Sequence, residues 1–478
     1  DVVLDVSGLG GDGADSNDGV VFVCGDTDIF TSLTDPTTGT ITGAVTLTAI
    51  GAGGNATTGS GAGGDGQGGE AVSGAEGGGS LTIGSFAADA SGQGGDSSSS
   101  LAGSGNGGVA GLDIEGIGGV YTIGGAVSAT ADGVGGQGTQ GGAGQGGLAG
   151  MLAGVGLIEA GGDVSVSAQG TGGDAIDDTL GNGGNGTGGA AIVAATGTLT
   201  ETATVNITGD ATLNAGGVGG KGSNSTVQSA LTGNGGTGRG GVNTTVNALD
   251  PEFTNGALLL AGADNGSITV GGQSSVSAVG TGGQGGDRAG GETSGSGGAG
   301  IGGTAEAGVG GIGLIPTVNG SVGLGSITLD TIELNAEGIG GSGGEELNAN
   351  LPNVNGSAGS GEGGGARFEV TAGQATANVI TLRVDGSGGG GALAATGTGG
   401  GGSLSSPTTS GALIEGGLDG SLTVGDVTIL ARGFGSEVDG SGATGSGGEA
   451  RVDASGINAQ VTGDLRVFAN GIGSGSVV

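Results

Sequence analysis

The acidic residues near the N-terminus form the group whose spacing could bind a metal ion. Residues 10–18 read Gly-Gly-Asp-Gly-Ala-Asp-Ser-Asn-Asp. This follows the calcium-binding nonapeptide Gly-Gly-x-Gly-x-Asp-x-apolar-x except at Asn17, where an apolar residue belongs. Calcium binds to carboxylate oxygens, so the pattern predicts a calcium site at Asp12, Asp15 and Asp18. The motif is not repeated in tandem, and the alternative interpretation is that these acids are solvated loop residues.

Catalysis by paired carboxylates is the second chemistry that the sequence allows. Adjacent acids occur at Asp177–Asp178 and at Glu345–Glu346, and glycosidases act with two carboxylates that face each other across the scissile bond. Substrate clefts also use aromatic side chains, yet the chain has seven Phe, one Tyr, no Trp and no His. The lone Cys24 lies in an apolar run, so we interpret it as a small buried side chain. We therefore predict no catalytic residue and no enzyme activity.

The composition restricts the partners of the chain. There are 45 acidic residues against 8 basic ones, which gives a formal net charge of −37, and Gly fills 136 of 478 positions. Nucleic-acid binding needs clustered Lys and Arg, so no nucleic-acid partner is expected, and anionic membrane surfaces repel the chain. No apolar stretch approaches the roughly 20 residues that span a bilayer. Calcium is the one candidate ion, and no other cofactor is expected.

A repeated hexapeptide organises the sequence. It has the form Ala-x-Gly-x-Gly-Gly, and we call it the landmark. Successive copies start between 37 and 63 residues apart, a variation that is expected when insertions fall in loops outside a stacked core. Ten copies begin at Ala49, Ala90, Ala131, Ala168, Ala215, Ala278, Ala336, Val384, Ala431 and Ala469. The copy at Val384 has Val in the first place, and the last two copies have Ser in the last place.

The residues that lead into each landmark alternate in polarity. Apolar Val45, Leu47 and Ala49, for example, are separated by Thr46 and Thr48. A period of two is typical of a β-strand with one buried face. A second short strand of the form Thr-Ile-x-Gly lies upstream, and a third strand follows each glycine tract. Three strands per repeat, separated by turns, predict one coil of a parallel β-helix with a thin core of small side chains.

The glycine tracts that follow the landmarks have three possible structures. Residues 61–69, Gly-Ala-Gly-Gly-Asp-Gly-Gln-Gly-Gly, are an example. Such tracts are flexible loops, extended polyglycine-II-like segments that pack against one another as Gly permits in collagen, or ion-binding turns. Their recurrence in nearly every repeat favours an ordered structure.

An ice-binding surface is a remoter prediction that the threonines raise. Thr46 and Thr48 point outward from the same strand. The equivalent positions change to Ser, Asn, Glu and Arg in other repeats, and this variation argues against a flat threonine array on that strand.

The pattern as a whole resembles the repetitive passenger regions of bacterial autotransporters and filamentous-haemagglutinin-type adhesins. The shared features are Thr-Ile-x-Gly strands, Val-x-Val-x-Ala strands, glycine tracts, acidity and a near absence of Cys, from about Thr40 onward. The resemblance implies display outside the cell or on the bacterial surface, with adhesive, biofilm or filament roles. The partners it implies are further copies of the chain, packed end to end or side by side, or surface glycans.

These observations predict an all-β fold, a parallel β-helix (β-solenoid) of about ten repeats with glycine-rich segments, which are either loops or of polyglycine-II type. We expect a strand-containing capping segment over residues 1–39 and the repeat array over 40–478. The tenth landmark lies a few residues before Val478, so we expect further repeats to follow, or copies to pack end to end. The predicted function is an extracellular structural or adhesive scaffold. A polysaccharide-binding or polysaccharide-cleaving β-helix is the alternative.

Overall fold

The protein is a parallel β-solenoid, as the sequence predicts. The computed structural model describes residues 1–9, 21–22, 26–31, 38–56, 60–75, 78–114, 118–178, 180–226, 232–241, 256–262, 264–289, 294–310, 325–345, 356–390, 397–398, 411–416, 420–436, 444–454 and 457–473. Within these ranges the regular structure consists of β-strands, with no helix. The strands form four sheets in which neighbouring strands are parallel and come from successive coils. We name the sheets A to D in the order in which each coil crosses them.

Sheets A and D contain the longer strands and enclose the apolar core. Sheet A holds the alternating strands, and sheet D holds the strands that follow the glycine tracts. The strands of sheet A are Val2–Asp5, Thr38–Thr48, Ser80–Asp89, Val120–Ile123, Val127–Thr130, Gly156–Ala160, Val164–Ser167, Ala203–Ile207, Ala211–Asn214, Gly266–Ser277, Ser326–Asn335, Gly373–Arg383, Gly420–Leu430, Ile457–Val461 and Leu465–Phe468. The strands of sheet D are Asp26–Thr31, Glu70–Ala75, Val109–Ile114, Leu148–Ala153, Ala190–Ala195, Gly256–Ala261, Thr304–Val309, Gly365–Val370, Gly411–Gly416 and Ala450–Asp453.

Sheets B and C consist of two-residue strands that begin, with one exception, at a glycine. Sheet B starts at the third residue of each landmark, and sheet C lies in the glycine tract that follows. The strands of sheet B are Gly8–Leu9, Gly51–Ala52, Gly92–Gln93, Gly133–Val134, Gly170–Thr171, Gly217–Val218, Gly280–Thr281, Gly338–Ile339, Gly386–Ser387, Gly433–Phe434 and Gly471–Ile472. The strands of sheet C are Val21–Phe22, Gly66–Gln67, Gly105–Asn106, Gly144–Gln145, Gly186–Thr187, Gly238–Arg239, Gly300–Ile301, Gly361–Glu362, Gly397–Thr398 and Gly445–Ser446.

Each repeat forms one coil. The two upstream strands predicted for a repeat are two parts of sheet A. In some coils they join into one strand, such as Thr38–Thr48 with a register shift between Ile41 and Ala44, and in others they stay separate, such as Val120–Ile123 and Val127–Thr130. The coils begin before the first predicted landmark, because Val2–Asp5 pairs in register with Val45–Thr48 and Gly8–Leu9 pairs with Gly51–Ala52. Sheet B therefore has eleven strands, one more than the ten landmarks. A capping role for residues 1–39 stays a prediction.

The apolar core follows from the alternation in sheet A. Val45, Leu47 and Ala49 are fully buried, and their equivalents are buried in each following coil up to Val427, Ile429 and Ala431. Opposite them, an inward alanine column runs along sheet D through Ala71, Ala110, Ala149, Ala191, Ala257, Ala305, Ala366, Ala412 and Ala450. Small side chains at this column let the two sheets lie close together, which explains the low content of large apolar residues.

The glycine tracts form a second, hydrogen-bonded core between sheets B and C. The Gly136 N–H donates to the Gly103 carbonyl across the two sheets at 3.0 Å, and the Gly136 carbonyl accepts from the Gly142 N–H at 2.9 Å. The bonds continue in this way through fifteen glycines, which are Gly54, Gly64, Gly95, Gly103, Gly136, Gly142, Gly173, Gly184, Gly220, Gly236, Gly283, Gly298, Gly341, Gly359 and Gly389. We call this set the glycine column.

Close approach of the backbones explains why these positions are glycine. A Cβ atom on Gly53 would overlap the carbonyl oxygen of Gly64 in the facing sheet, and one on Gly95 would overlap the carbonyl of Gly54 in the preceding coil. Backbone atoms cannot move aside as flexible side chains do. Of the three structures predicted for the tracts, the described residues therefore show the ordered, polyglycine-II-like one, in which extended segments without side chains bond sideways.

Candidate functional site

The non-glycine residues of the tracts form polar columns on the outer faces of sheets B and C. The Asn55 Oδ1 accepts the backbone N–H of Asp96 at 2.7 Å, and the Asp96 Oδ1 accepts the N–H of Gln137 at 2.7 Å. Each side chain thus bonds to the equivalent residue one coil further along. The same contact joins Asp65 to Ser104, Asp174 to Lys221, Asp177 to Asn224, Asn182 to Asn234, Asn185 to Thr237, Asn224 to Asp287, Asn234 to Ser296 and Asp287 to Glu345.

The adjacent acids singled out in the sequence belong to these columns. Asp177 accepts the N–H of Asn224 at 3.1 Å, and Asp178 accepts both the N–H and the hydroxyl of Thr226, at 2.7 and 2.9 Å. The N–H of Glu345 donates to Asp287, whereas Glu346 lies outside the described residues. The carboxylates of Asp177 and Asp178 therefore hold one coil on the next, whereas Glu345 takes part in its column through its backbone N–H.

A buried charged cluster lies on the outer face of sheet D, and sequence reasoning missed it. Arg367 is paired in register with Glu306 of the preceding coil, and its guanidinium lies 3.7 Å from the Glu306 carboxylate and 2.8 Å from that of Glu369. The side chains of Glu306 and Glu369 are only 10% and 4% exposed. Two buried carboxylates beside one guanidinium form an ion-pair network rather than a solvated pair of acids.

Nearer the middle of the stack, the outer face of sheet D is apolar. Leu148, Ile192, Leu258 and Leu260 are buried there in a cluster separate from the main core. The sequence carries a signal for this, because Ala190–Ala195 reads Ala-Ala-Ile-Val-Ala-Ala without alternation. An uninterrupted apolar run is expected where a strand is buried on both faces.

The Arg432 side chain, next to strand Gly433–Phe434 of sheet B, is held by several contacts. The Arg432 guanidinium bonds to the Asp385 carboxylate at 2.6 Å and lies over the Phe434 ring, 5.1 Å from its centroid. Hydrogen bonding to Asp385 raises the pKa of Arg432 above its usual value. Because Asp385 is buried and Arg432 follows it one coil later, the pair joins two coils across the stack.

Two buried groups have a shifted pKa that reflects their place in the stack. Burial raises the pKa of Tyr121 to about 12, and its hydroxyl bonds to that of Ser73 at 2.9 Å. Burial also raises the pKa of Asp132, although the Ser167 hydroxyl and the Gln169 N–H both donate to its carboxylate at 2.7 Å. Both residues lie within contacts between coils.

The predicted calcium ligands Asp12, Asp15 and Asp18 lie outside the described residues. Among the residues that the structure does describe, no group of three or more His, Cys, Asp or Glu side chains is placed to hold a metal ion. Within the same ranges, no helix is long and apolar enough to cross a membrane.

Comparison with known proteins returned no relative. Scans against protein-family models, curated proteins and solved structures found no match to the chain.

The last described coil leaves apolar side chains exposed. Val461, Leu465, Val467 and Phe468 are between 38% and 51% exposed. An apolar cavity at this end is lined by residues of the last coil, including Ile457 and Leu465, and by residues of the coil before it. The backbone groups of these strands that point along the axis can pair with a further parallel strand.

Proposed function

We propose that the chain is an extracellular structural scaffold, displayed on a bacterial surface, whose regular stack presents its outer faces to other copies or to surface glycans. The observation that carries this proposal is the continuous glycine column from Gly54 to Gly389, which runs along the axis next to the apolar core. A stack with two ordered cores resists bending at every coil. At about 4.8 Å per coil, the eleven strands of sheet B span on the order of 50 Å.

Composition supports a place outside the cell. A net charge of −37 keeps such a repetitive chain soluble and well separated from its neighbours. A single Cys in 478 residues agrees with an environment in which free thiols are oxidised.

The contacts of the carboxylates favour a scaffold over the polysaccharide-cleaving alternative. Asp177 and Asp178 bond to backbone groups of the next coil, and Glu306 and Glu369 share the Arg367 guanidinium. A glycosidase would need two carboxylates free to face substrate.

The exposed apolar coil supports self-association along the axis. A further coil with the same alternation, supplied by a second copy, would bury Leu465 and Val467 and would pair with their strand. We therefore expect the 478-residue chain to form axial assemblies as its concentration rises, with a spacing of about 4.8 Å in X-ray scattering. Light scattering coupled to size exclusion, together with negative-stain imaging, would detect these assemblies.

A pair of charged substitutions tests this surface. In a Leu465→Glu/Val467→Glu variant the assemblies should be lost, because two carboxylates would have to be buried at the junction. Gln460→Glu, an outward-facing change in the same coil, is the matched control and should assemble as the wild type does. A wild-type chain that stays monomeric at every concentration would contradict self-association. Release of reducing sugar from a bacterial polysaccharide would favour the enzyme alternative.

A further inference from the structure

The outer face of sheet A carries a row of threonines that lie far apart in the sequence and are brought together by the pairing of the strands. The row lies in the upstream part of the sheet, where the pairing brings one outward residue from each of ten coils into register. Seven of these ten residues are threonine, namely Thr40, Thr82, Thr122, Thr269, Thr328, Thr376 and Thr423. Glu159 and Asn206 interrupt the row in the middle and Gln460 ends it.

Four consecutive coils form the longest uninterrupted part of this row. Thr269, Thr328, Thr376 and Thr423 are all exposed. A second outward row lies beside them, two residues upstream on each strand, and consists of Ser267, Ser326, Gln374 and Ser421. We call these eight residues the hydroxyl patch, which contains seven hydroxyl groups and neither a charged nor an aromatic side chain.

The hydroxyl patch is held flat by the strand residues beneath it. Ile268, Ile327 and Leu329 alternate with the patch residues and are almost fully buried in the apolar core. Within the patch, the Ser267 and Ser326 hydroxyls lie 2.9 Å apart and hydrogen-bond to each other. The positions of the hydroxyls therefore follow the pairing of the sheet.

The spacing of the hydroxyl patch is close to that of ordered water. Parallel strands place equivalent residues about 4.8 Å apart along the axis, and residues i and i+2 lie about 6.6 Å apart along a strand. In ice, a tetrahedral water network with O···O distances of about 2.75 Å, second-neighbour oxygens lie about 4.5 Å apart, which compares with the spacing between coils. The lattice repeats after about 7.3 Å in the perpendicular direction, which compares with the i to i+2 spacing along a strand. Across four coils, the difference between the coil spacing and the oxygen spacing adds up to about 1 Å along the solenoid axis. Rotation of the threonine side chains about χ1 can compensate for this difference.

We propose that the hydroxyl patch adsorbs to ice. The threonine hydroxyls take the place of lattice oxygens, and their methyl groups fill the space between the rows without needing hydration. Binding is multivalent, since a rigid sheet presents all its sites at once and loses little entropy on adsorption. A glycan lattice fits less well, because carbohydrate surfaces are usually bound through aromatic platforms. Thr46 and Thr48, whose equivalents vary from coil to coil, lie in different rows of the same sheet.

The edge of the hydroxyl patch marks its limit. Asp330 lies two residues downstream of Thr328 and accepts a hydrogen bond from the Asn378 amide at 2.6 Å. Charged groups hold their own hydration shells and do not fit a water lattice, so the proposed contact ends at this edge and at Glu159.

Adsorption to polycrystalline ice tests the proposal directly. The fluorescently labelled 478-residue chain should enrich on a growing ice surface and should inhibit recrystallisation. A Thr328→Lys/Thr376→Lys variant places two hydrated cations in the centre of the patch and should need at least about tenfold more protein for the same inhibition. The matched control is Gln93→Lys/Gln145→Lys, the same change of charge at exposed positions of sheets B and C.

The outcomes separate clearly when melting curves show that all three proteins are folded. Loss of ice adsorption in the threonine variant alone would support the proposal. It would be overturned if the wild type adsorbs no more than serum albumin at equal concentration, or if the threonine variant adsorbs as the wild type does. Adsorption to crystalline cellulose or chitin without adsorption to ice would also overturn it and would assign the patch to a glycan.

Discussion

Replacing Gly136 by valine should lower the free energy of local unfolding around its coil by about 3 kcal/mol. Gly136 belongs to the glycine column, and a Cβ atom there would overlap the carbonyl group of Gly95 in the preceding coil. The backbone cannot move aside without breaking the bonds to Gly103 and Gly142, so the overlap is expected at the upper end of overpacking costs. Amide hydrogen exchange measures this opening coil by coil, which suits a repeat protein that need not unfold in one step.

The neighbouring residue provides the control for this substitution. Gln137 follows Gly136 but faces solvent, so Gln137→Val adds the same side chain without entering the glycine core. Its effect should stay within about 0.5 kcal/mol, as for most surface substitutions. Equal effects at the two positions would mean that the tract is not packed as described.

Replacing Arg367 by methionine should cost about 3 kcal/mol, the typical result of breaking a buried ion pair. Methionine keeps much of the side-chain volume but leaves the buried carboxylates of Glu306 and Glu369 without the guanidinium that they share. The loss should appear as a lower urea midpoint and as faster amide exchange in strands Thr304–Val309 and Gly365–Val370.

An exposed ion pair near the C-terminal end is the matched comparison. Arg466 lies 2.7 Å from Asp464, but their side chains are 63% and 70% exposed. Arg466→Met should therefore cost less than about 1 kcal/mol. If Arg367→Met is equally mild, the charged cluster does not hold the coils together.

The apolar half of each coil could be predicted from the sequence, because its strands alternate with a period of two. Val45, Leu47 and Ala49 are buried as expected. The first coil was not predicted, although residues 6–11 carry the same Val-x-Gly-x-Gly-Gly variant as the copy at Val384, and Gly8–Leu9 occupies the same place in sheet B. The two predicted upstream strands are parts of one sheet, since the Gly at the corner only shifts the register and does not end the pairing.

The positions of the glycine tracts could be predicted from the sequence, but their structure could not. Glycine has no side chain whose polarity could indicate a buried face, so the composition of the tracts is compatible with loops, with polyglycine-II packing and with ion sites. The contacts between distant tracts, such as Gly136 with Gly95, decide among these and have no local signal. The columns of Asp and Asn were missed for the same reason, since the partner of Asp96 is Gln137 in the next coil.

Amide hydrogen exchange of the glycine column in the 478-residue chain tests most directly whether the tracts form a second core. The amides of Gly136, Gly173, Gly184 and Gly220 each donate to a carbonyl across sheets B and C. They should exchange on the order of a thousandfold more slowly than unprotected amides, as slowly as those of strand Ala203–Ile207 in sheet A. Exchange of these glycines at the rate of an unstructured peptide, with sheet A still protected, would show that the tracts are flexible loops and that the stack has only one core.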